Sequence, residues 1–531
     1  MTRLDHRIAR THPRLCYRTL LAGLVLGGAT MLASGAVVAA PVTVSGTSPF
    51  SATCGLTAAD GRLFLNSEVE PFIAANPIKA SNLIAVWQQD RWSNGGSRGN
   101  LAGVSIDGGT SWGTVDLPGL TLCSTPAGIW DRATDPWVTF SPNGNAFAFS
   151  LVFQALPPPN RPGGNGPNAM VVQKSTDGGA HWSSPITLVN EVNPRVLHDK
   201  NSITADPNDS NFVYAVWDKL TIPTGAAINP ENVFGFGFKG PAAFSRTTDG
   251  GTSWEPIRLI FDPGANNQTI GNQVVVLPRF KGGTLFDFFN EILNFKSIGG
   301  GVKSVFNLSF LTSSNKGTTW RPNGQPNRAQ SMQSLARLRA FGILTPDTGQ
   351  GVRTGDILFD VAVDRTSGNL YAVWQDARFS GDRIDQIAFS MSANGGTTWS
   401  TPIKVNQTPS VNVTLQRQQA FTPSVEAKAD GTILVSYYDF RNDVSTAGQE
   451  LADFFAVSCP PPAFNCASAA SWLPSNEARL TSASFNILDA PNARGFFTGD
   501  YEGLASASGN GLAVFGQPQG SDPGDIVFNR F

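Results

Sequence analysis

Short apolar runs that end in tryptophan recur along the chain. They are clearest at 83–87 (Leu-Ile-Ala-Val-Trp), 212–217 (Phe-Val-Tyr-Ala-Val-Trp) and 370–374 (Leu-Tyr-Ala-Val-Trp). Each is preceded by a second apolar stretch and a turn rich in Asn, Asp, Pro or Gly. Runs of this length without polar alternation are typical of strands that are covered on both faces. The pattern therefore predicts repeated pairs of antiparallel strands in a layered all-β fold.

A second repeat, Ser/Thr-x-Asp/Asn-x-Gly-x-x-Trp, occurs five times, and its Asp/Asn positions are 70, 72, 66 and 79 residues apart. We call these segments the repeat turns. The Asp or Asn side chain can accept hydrogen bonds from turn N–H groups, glycine supplies the positive φ, and tryptophan packs back over a hairpin. We interpret them as structural, and His181, at a variable position of one copy, shares that interpretation. Their Asp/Asn and Trp residues are Asp107 and Trp112, Asp177 and Trp182, Asp249 and Trp254, Asn315 and Trp320, and Asn394 and Trp399.

The two repeats together predict four antiparallel strands per unit. One such sheet cannot bury both faces alone, so we expect the units to stack as blades of a single β-propeller over residues 65–531. Seven blades are favoured and six are the alternative, with a closing strand from the N-terminal segment 40–64. A helix is predicted over 328–341, before the fifth blade. The blades are expected to begin near residues 70, 135, 199, 272, 356, 422 and 500.

Composition agrees with this fold class and excludes others. The 531 residues include 55 Gly and 36 Pro, and only 15% are charged, which argues against helical bundles and coiled coils. The formal charge of −2, from 38 basic and 40 acidic residues, marks neither a nucleic-acid binder nor a binder of anionic membranes. With only four His, two of them in the N-terminal segment described next, a multi-histidine zinc site is excluded.

The N-terminus has the pattern of an export signal. Five arginines precede an apolar run at 20–38 that ends in small residues, so we expect a signal peptide over 1–39 and a secreted or periplasmic protein. A membrane anchor is the alternative for this run. No later stretch reaches the roughly 18 to 20 apolar residues that span a bilayer, so no membrane span is expected after removal of the signal.

Four cysteines follow the predicted signal. An even number in an exported chain predicts disulfides. Cys459 and Cys466 bracket one short loop, which favours their pairing and leaves Cys54 with Cys123. Metal binding is the alternative, although no Cys-x-x-Cys spacing occurs.

The repeat turns resemble those of the sialidase superfamily, over most of residues 65–531. The phrases at 87–96, 354–360, 438–443 and 499–504 are similar to those of secreted bacterial sialidase-like proteins. The resemblance implies a six- or seven-bladed propeller and a glycoside hydrolase. It also implies three arginines that bind a substrate carboxylate, a tyrosine nucleophile with a glutamate partner, and an aspartate acid/base.

Chain direction predicts where a site would lie. The repeat turns should lie on one face of the ring, and the starts of the first strands and the loops after the second strands on the other, around the channel. That second face collects the polar residues of interest. They are Glu70, Asp135, Asp199, Asp356 and Asp500 at the strand starts, and Asp90, Arg91, Asp376, Arg378, Asp439 and Arg441 in the loops.

The resemblance implies catalytic and substrate-binding roles for these residues. Arg91, Arg378 and Arg441 would bind the carboxylate, beside Asp376, Asp439 and His198. Tyr501 or Tyr438 would be the nucleophile. Glu502 or Glu70 would be its base, since a free phenol with a pKa near 10 is a poor nucleophile. Asp135 and Asp199 are the acid/base candidates.

Two other interpretations of these residues stay open. Asp-x-Arg after a strand is also the pattern of a structural ion pair repeated from blade to blade. A ring of carboxylates around a channel also suits Ca²⁺, so a calcium site is an alternative although no cofactor is required.

The sequence therefore predicts a secreted, monomeric sialidase-like glycoside hydrolase that acts on terminal sugars of extracellular glycans. The alternative is a non-catalytic propeller that binds glycan or protein on the same face, with Trp92 and Trp137 as stacking surfaces.

Overall fold

The computed structural model describes residues 39–55, 61–155, 166–222, 239–296, 302–338, 340–461 and 464–531. The predicted signal peptide lies outside the described residues except for Ala39. Within the described residues the chain is built from β-strands and short 3-10 turns, without an α-helix, so the all-β class is confirmed. No helix in this part of the chain is long and apolar enough to cross a membrane.

After β1 (Val42–Thr43), the strands of the described chain form antiparallel units of four, which we number along the chain. Unit 1 is β2 (Glu68–Ala75), β3 (Leu83–Arg91), β4 (Ser97–Ser105) and β5 (Gly113–Asp116). Unit 2 is β6 (Arg132–Phe140), β7 (Ala146–Phe153), β8 (Asn168–Ser175) and β9 (Ile186–Glu191). Unit 3 is β10 (Val196–Ala205), β11 (Val213–Thr221), β12 (Ala242–Thr247) and β13 (Arg258–Phe261). Unit 4 is β14 (Gln268–Val276), β15 (Leu285–Lys296), β16 (Val302–Ser313) and β17 (Asn327–Met332).

A small sheet is formed by two strands before unit 5 and one strand before unit 7. Its strands are β18 (Ile343–Leu344), β19 (Gly351–Arg353) and the later β29 (Phe496–Phe497). Unit 5 is β20 (Phe359–Val363), β21 (Leu370–Asp376), β22 (Gln386–Ser392) and β23 (Ile403–Lys404). Unit 6 is β24 (Ala420–Ala427), β25 (Ile433–Asp439), β26 (Leu451–Cys459) and β27 (Glu477–Arg479), with β28 (Phe485–Asn486) also paired to β26. Unit 7 is β30 (Gly503–Ala507), β31 (Asn510–Gln519), β32 (Asp522–Arg530) and β1, which pairs with β32.

The first strands of the units contact one another in sequence. β2 contacts β6, β6 contacts β10, and the series continues through β14, β20 and β24 to β30, which contacts β2. We call this closed series the strand ring. The long apolar runs lie buried between neighbouring units, as their lack of alternation predicts: Trp87, Trp217 and Trp374 are all 0% exposed. Each sheet is thus covered on both faces.

The repeat turns share one hydrogen-bond pattern. In unit 3, the Thr247 hydroxyl accepts from Gly251 N at 2.9 Å, and the Asp249 carboxylate accepts from Ser253 N at 2.9 Å. In the other four copies, a Ser hydroxyl accepts the same hydrogen bond from the glycine N–H group. The four hydrogen bonds that the Asp249 carboxylate accepts lower its pKa to about 2, chiefly through the bond from the Ser253 hydroxyl.

In each repeat turn, the glycine two residues after the Asp or Asn packs against the preceding unit. Gly251, with φ of 85°, lies so close to Phe147 of unit 2 that an added Cβ would be 2.5 Å from the ring. Gly109 of unit 1 lies against Phe528 of unit 7 in the same way. The remaining contacts are Gly179 on Ile84 and Val104, Gly317 on Phe244, and Gly396 on Phe286 and Phe310. Glycine is therefore needed for close approach as well as for positive φ.

The helix predicted over 328–341 is wrong. Residues Asn327–Met332 form β17, the outer strand of unit 4, and Leu335–Arg337 form a single 3-10 turn. The backbone of β16 offers this segment a ladder of hydrogen bonds, and Met332 and Leu335 are buried. Tertiary pairing therefore outweighs the helical propensity of the segment.

Both predicted disulfides are confirmed. Cys54 pairs with Cys123, and Cys459 pairs with Cys466. The first ties the N-terminal segment to the loop after β5, and the second closes the loop after β26. Disulfides of this kind fit an oxidising compartment, outside the cytosol.

Gly250 and Gly251 form a matched pair for testing the docking contact. Both have positive φ, but an added Cβ at Gly250 meets only the Ser210 carbonyl oxygen at 3.6 Å. We expect Gly250→Ala to cost ~1 kcal/mol from φ alone. Gly251→Ala should cost about 1–3 kcal/mol more, because its methyl overpacks Phe147. Urea unfolding of the two variants measures the difference, and equal losses would contradict the docking role.

Candidate functional site

The first strands carry the same backbone distortion near one end. A bulge shifts the register of β2, β6, β10 and β24, and the bulged residue of each has a positive φ. These residues are Glu70 (56°), Asp135 (48°), Lys200 (42°) and Thr422 (48°). β14 has a similar bulge with Gly271. A non-glycine residue in this conformation costs on the order of 1 kcal/mol or more, and such strain concentrates at functional sites.

The small sheet adds a basic residue to this end of the ring. β19 and β29 pair in parallel, with Arg353 opposite Phe497. This pairing joins the insertion before unit 5 to the segment before unit 7. It places Arg353 against Asp500, with Nε 3.0 Å from Oδ1 and Nη2 bonded to Oδ2. The Asp500 carboxylate is 17% exposed and the guanidinium 21% exposed.

We call the charged group at this end of the strand ring the mouth cluster, because its members act electrostatically on one another. It contains Glu70, Arg91, Asp135, Asp199, Lys200, Arg353, Asp500 and Tyr501.

Two arginines of the cluster flank one aromatic ring. The guanidinium carbons of Arg91 and Arg353 lie 5.1 and 4.3 Å from the centroid of Phe497. Arg91 also donates to Gln88 Oε1 at 2.7 Å, and Gln88 donates to Glu70 Oε2. Burial, and then repulsion from Arg353, lower the pKa of Arg91 to about 10. The two cations are thus held close together by the carboxylates between them.

Aromatic side chains form the floor beside the cluster. Phe72 stacks on Trp137 with ring centroids 3.6 Å apart, and Trp137 contacts Tyr501 at 5.4 Å. Lys200 Nζ lies 3.8 Å from the Tyr501 centroid and 4.8 Å from that of Trp137. A cavity in the mouth is lined by these four residues and Asp500, among others. An apolar wall therefore faces charged groups across one cavity.

The carboxyls of the cluster have unequal acidities. Burial, followed by the charge of Asp135, raises the pKa of Asp199 to about 7. Burial also raises the pKa of Glu70 and of Asp135. Burial opposes ionisation of Asp500 as well, but the attraction of Arg353 and Arg91 lowers its pKa below the usual value. The cluster therefore holds a protonated and an ionised carboxyl together near neutral pH.

The predicted arginine triad does not form. Arg378 is paired with Asp376 of its own unit, with Nε 2.7 Å from Oδ1. Arg441 is paired with Asp439 and with Glu477, at 2.6 and 2.5 Å. Asp376 and Asp439 are both 0% exposed. Each Asp-x-Arg pair thus has the structural role that sequence analysis held as the alternative, and only Arg91 of the three lies in the mouth cluster.

His198 and Tyr438 lie in the packed interior. Both are 0% exposed. His198 Nδ1 accepts from Trp217 Nε1 at 2.7 Å, and burial lowers the pKa of the imidazole to about 3, so it is neutral. Neither side chain can meet a substrate in this conformation.

Glu502 pairs with Tyr438 and not with Tyr501. Tyr438 Oη lies 2.9 Å from Glu502 Oε1 and 2.7 Å from the Gly516 carbonyl. The Tyr438 hydroxyl has one hydrogen, which it donates to the Gly516 carbonyl because a carbonyl can only accept. The contact between Tyr438 and Glu502 therefore requires a proton on Glu502, which donates to the Tyr438 oxygen. Burial raises the pKa of Glu502, in agreement. Tyr501, 8% exposed, donates to Pro136 O at 3.1 Å. The two adjacent side chains thus have different partners.

Trp92 and Trp137, the predicted stacking surfaces, are 4% and 6% exposed. Arg132 covers the ring of Trp92 at 4.6 Å, and Phe72 covers Trp137. Neither indole offers an open face.

Sequence reasoning missed Arg353, Lys200 and Phe497. Arg353 directly precedes the phrase at 354–360, which sequence analysis singled out, so a signal was present. Its partner Asp500 is 147 residues away, and only the parallel pairing of β19 with β29 joins them.

No family model and no curated protein matches this chain. Several solved structures resemble it at low identity. A protein of unknown function from Dyadobacter fermentans is 13% identical, covers 89% of this chain and 96% of its own, and has a TM-score of 0.44. The α-L-arabinofuranosidase Arb93A of Fusarium graminearum, in complex with an iminosugar inhibitor, is 10% identical over 93% and 98% of the two chains, with a TM-score of 0.41. The intramolecular trans-sialidase of Ruminococcus gnavus, in complex with oseltamivir carboxylate, is 13% identical over 91% and 97%, with a TM-score of 0.39.

Asp199 offers a test of the cluster that does not need a substrate. Its folded-state pKa of about 7 exceeds the unfolded value of about 3.9, so the folded state binds the proton more tightly. Its contribution to stability is complete at low pH and is lost as pH rises through about 7. We compare the free energy of unfolding of Asp199→Asn with that of the wild type at each pH. As the pH rises from about 5 to about 8, we expect this difference to change in favour of the variant by on the order of 1 kcal/mol, after allowance for partial exposure.

Urea unfolding at the two pH values measures this gain. Asp262→Asn is the control, because Asp262 is 42% exposed and pairs only with Lys239. A gain equal to that of the control would show that Asp199 titrates normally.

Proposed function

We propose that this chain is a secreted, seven-bladed propeller glycoside hydrolase whose active site is the mouth cluster. The closed contacts of the strand ring support the blade number, and the export signal and two disulfides support secretion. The substrate would be a terminal sugar of an extracellular glycan.

One observation carries this proposal. Asp199 and Asp500 lie in one cluster, Asp500 lines its cavity, and the pKa values of the two carboxyls are shifted in opposite directions. A proton donor and an ionised carboxylate placed together are what hydrolysis of a glycosidic bond uses. A carboxyl whose pKa is shifted toward neutrality by burial and by a specific charged neighbour is a candidate catalytic group.

In this scheme Asp199 donates its proton to the glycosidic oxygen as the bond breaks. Asp500, ionised by Arg353, faces the positive charge that develops on the sugar, as base or as nucleophile. Phe72, half-buried and stacked on Trp137, provides the apolar wall against which the sugar ring lies. Burial raises the pKa of Asp135, and Lys200, held over Tyr501, opposes this rise and balances part of the negative charge of the cluster.

This assignment differs from the tyrosine chemistry that the sialidase resemblance implies. Tyr438 is fully buried, and Tyr501 already donates to a backbone carbonyl. Burial, followed by the carboxylates around it, raises the pKa of Tyr501 well above the usual value, which makes a phenolate costly. The two-carboxylate scheme needs neither tyrosine as nucleophile.

Activity of the purified protein on a panel of fluorogenic glycosides tests the proposal. The panel contains an α-sialoside, an α-L-arabinofuranoside and common neutral hexosides. We expect turnover of at least one of them. Asp199→Asn and Asp500→Asn should each reduce kcat/KM by a factor of about 100 or more, the usual contribution of a general acid or base. Arg378→Ala should leave it within about threefold.

The pH profile adds a second readout. Because the active form has a protonated Asp199, kcat/KM should fall as pH rises above about 7. No turnover on any glycoside would oppose the proposal, as would turnover that survives both Asn variants. Glycan binding without turnover would favour the non-catalytic propeller instead.

A further inference from the structure

A second acidic group lies where the first and last units meet. Glu68 is on β2, and Asp522 and Asp525 are at the start of β32. One carboxylate oxygen from each of the three lies within 4.8 Å of the others. Glu68 and Asp525 are buried, at 0% and 9% exposed, and Asp522 is half-buried. We call these residues the closure trio.

The backbone brings the trio together at a tight contact. Ser67 and Gly524 form a parallel bridge between units 1 and 7. A Cβ at Gly524 would lie 2.9 Å from the Glu68 carbonyl oxygen, so no larger residue fits without a shift. Ser45, which follows β1, donates to Asp525 Oδ1 at 3.2 Å. The N-terminal segment, unit 1 and unit 7 thus converge at this point.

The charge of the trio is not balanced by a cation. The charged groups that act most on Glu68 are Asp522 and Asp525, and on Asp522 they are Asp525 and Asp90. Asp90 is itself paired with Arg98, at 3.1 Å. In the described parts of the chain, no Lys or Arg forms an ion pair with a carboxylate of the trio.

Two buried oxygens here lack partners. Glu68 Oε1 accepts from Gln89, but Glu68 Oε2 is buried without a hydrogen bond. Gln517 lies directly opposite Asp525 on β31, and its Oε1 is also buried without a hydrogen bond. An unsatisfied buried carboxylate oxygen is costly, so its presence beside two more carboxylates points to a missing ligand.

We propose that the closure trio binds a divalent cation, of which Ca²⁺ fits best. Ca²⁺ is coordinated by six to eight hard oxygen ligands. The three carboxylates can each bind through one or two oxygens, and the Gln517 amide oxygen lies across the strand pair. Mg²⁺ fits less well, because it requires near-ideal octahedral geometry and keeps its waters. The bound ion joins the first unit to the last, so it stabilises closure of the strand ring.

A second acidic group provides a matched control. Asp347, Asp443 and Glu450 also lie within 4.8 Å of one another. There Arg417 pairs with Asp347 at 2.6 Å and with Asp443 at 2.8 Å, and Glu450 accepts from Thr348 N at 2.8 Å. Because its carboxylates are already satisfied, this group should bind no ion.

Calcium binding to the chelator-treated protein tests the proposal. We expect calorimetry to show one Ca²⁺ per chain with a Kd below about 1 mM, the weak limit of extracellular modules. Thermal unfolding should shift upward with Ca²⁺, and free Ca²⁺ at 100 times the Kd should raise the folding equilibrium constant about 100-fold. Equal concentrations of Mg²⁺ should shift it less.

Asp522→Asn is the informative variant, because this half-buried residue can be changed without disturbing the packed strand. It should weaken Ca²⁺ binding at least about tenfold and remove the thermal shift. Asp347→Asn should leave both unchanged. Absence of saturable Ca²⁺ binding by the wild type would overturn the proposal, and so would an Asp522→Asn variant that binds as the wild type does.

Discussion

Contact between neighbouring sheets is the constraint on which the rest of this structure depends. A four-strand unit with apolar residues on both faces is stable only when a neighbour covers each face. The glycine of each repeat turn allows that neighbour to approach, because a Cβ at Gly251 would collide with Phe147. Gly109 likewise allows the first unit to pack against Phe528 of the last unit, and β1 completes the last sheet.

Ring closure also forms the end of the molecule that carries the mouth cluster. The bulges of the first strands lie there, and Glu70, Asp135 and Lys200 are their bulged residues. The strain of these bulges and the burial of several carboxyls both lower stability. The packed interfaces between units supply the compensating free energy. Asp199, which is costly to ionise in the folded state, is thus held in the position that the proposed proton donation requires.

The proposed cation site and the mouth cluster illustrate two ways of satisfying buried carboxylates. In the mouth, Arg353 pairs with Asp500, and the charges of Arg353 and Arg91 lower the pKa of this buried carboxyl. In the closure trio, Glu68 Oε2 has no partner within the described chain, which is why an external cation is invoked. The group around Arg417 resembles the mouth in this respect, since one guanidinium satisfies two carboxylates.

The sequence alone determined the all-β class, the strand pairs, the repeat turns and both disulfides, because periodicity, turn residues and cysteine spacing are local signals. It also placed Glu70, Asp135, Asp199 and Asp500 at the same end of the sheets. Only the tertiary structure decided their partners. Arg353 reaches Asp500 through the pairing of β19 with β29, whereas Arg378 and Arg441 stay with the aspartates two residues before them. Charge pairing depends on distances of a few ångströms, which repeated motifs do not specify across 147 residues of chain.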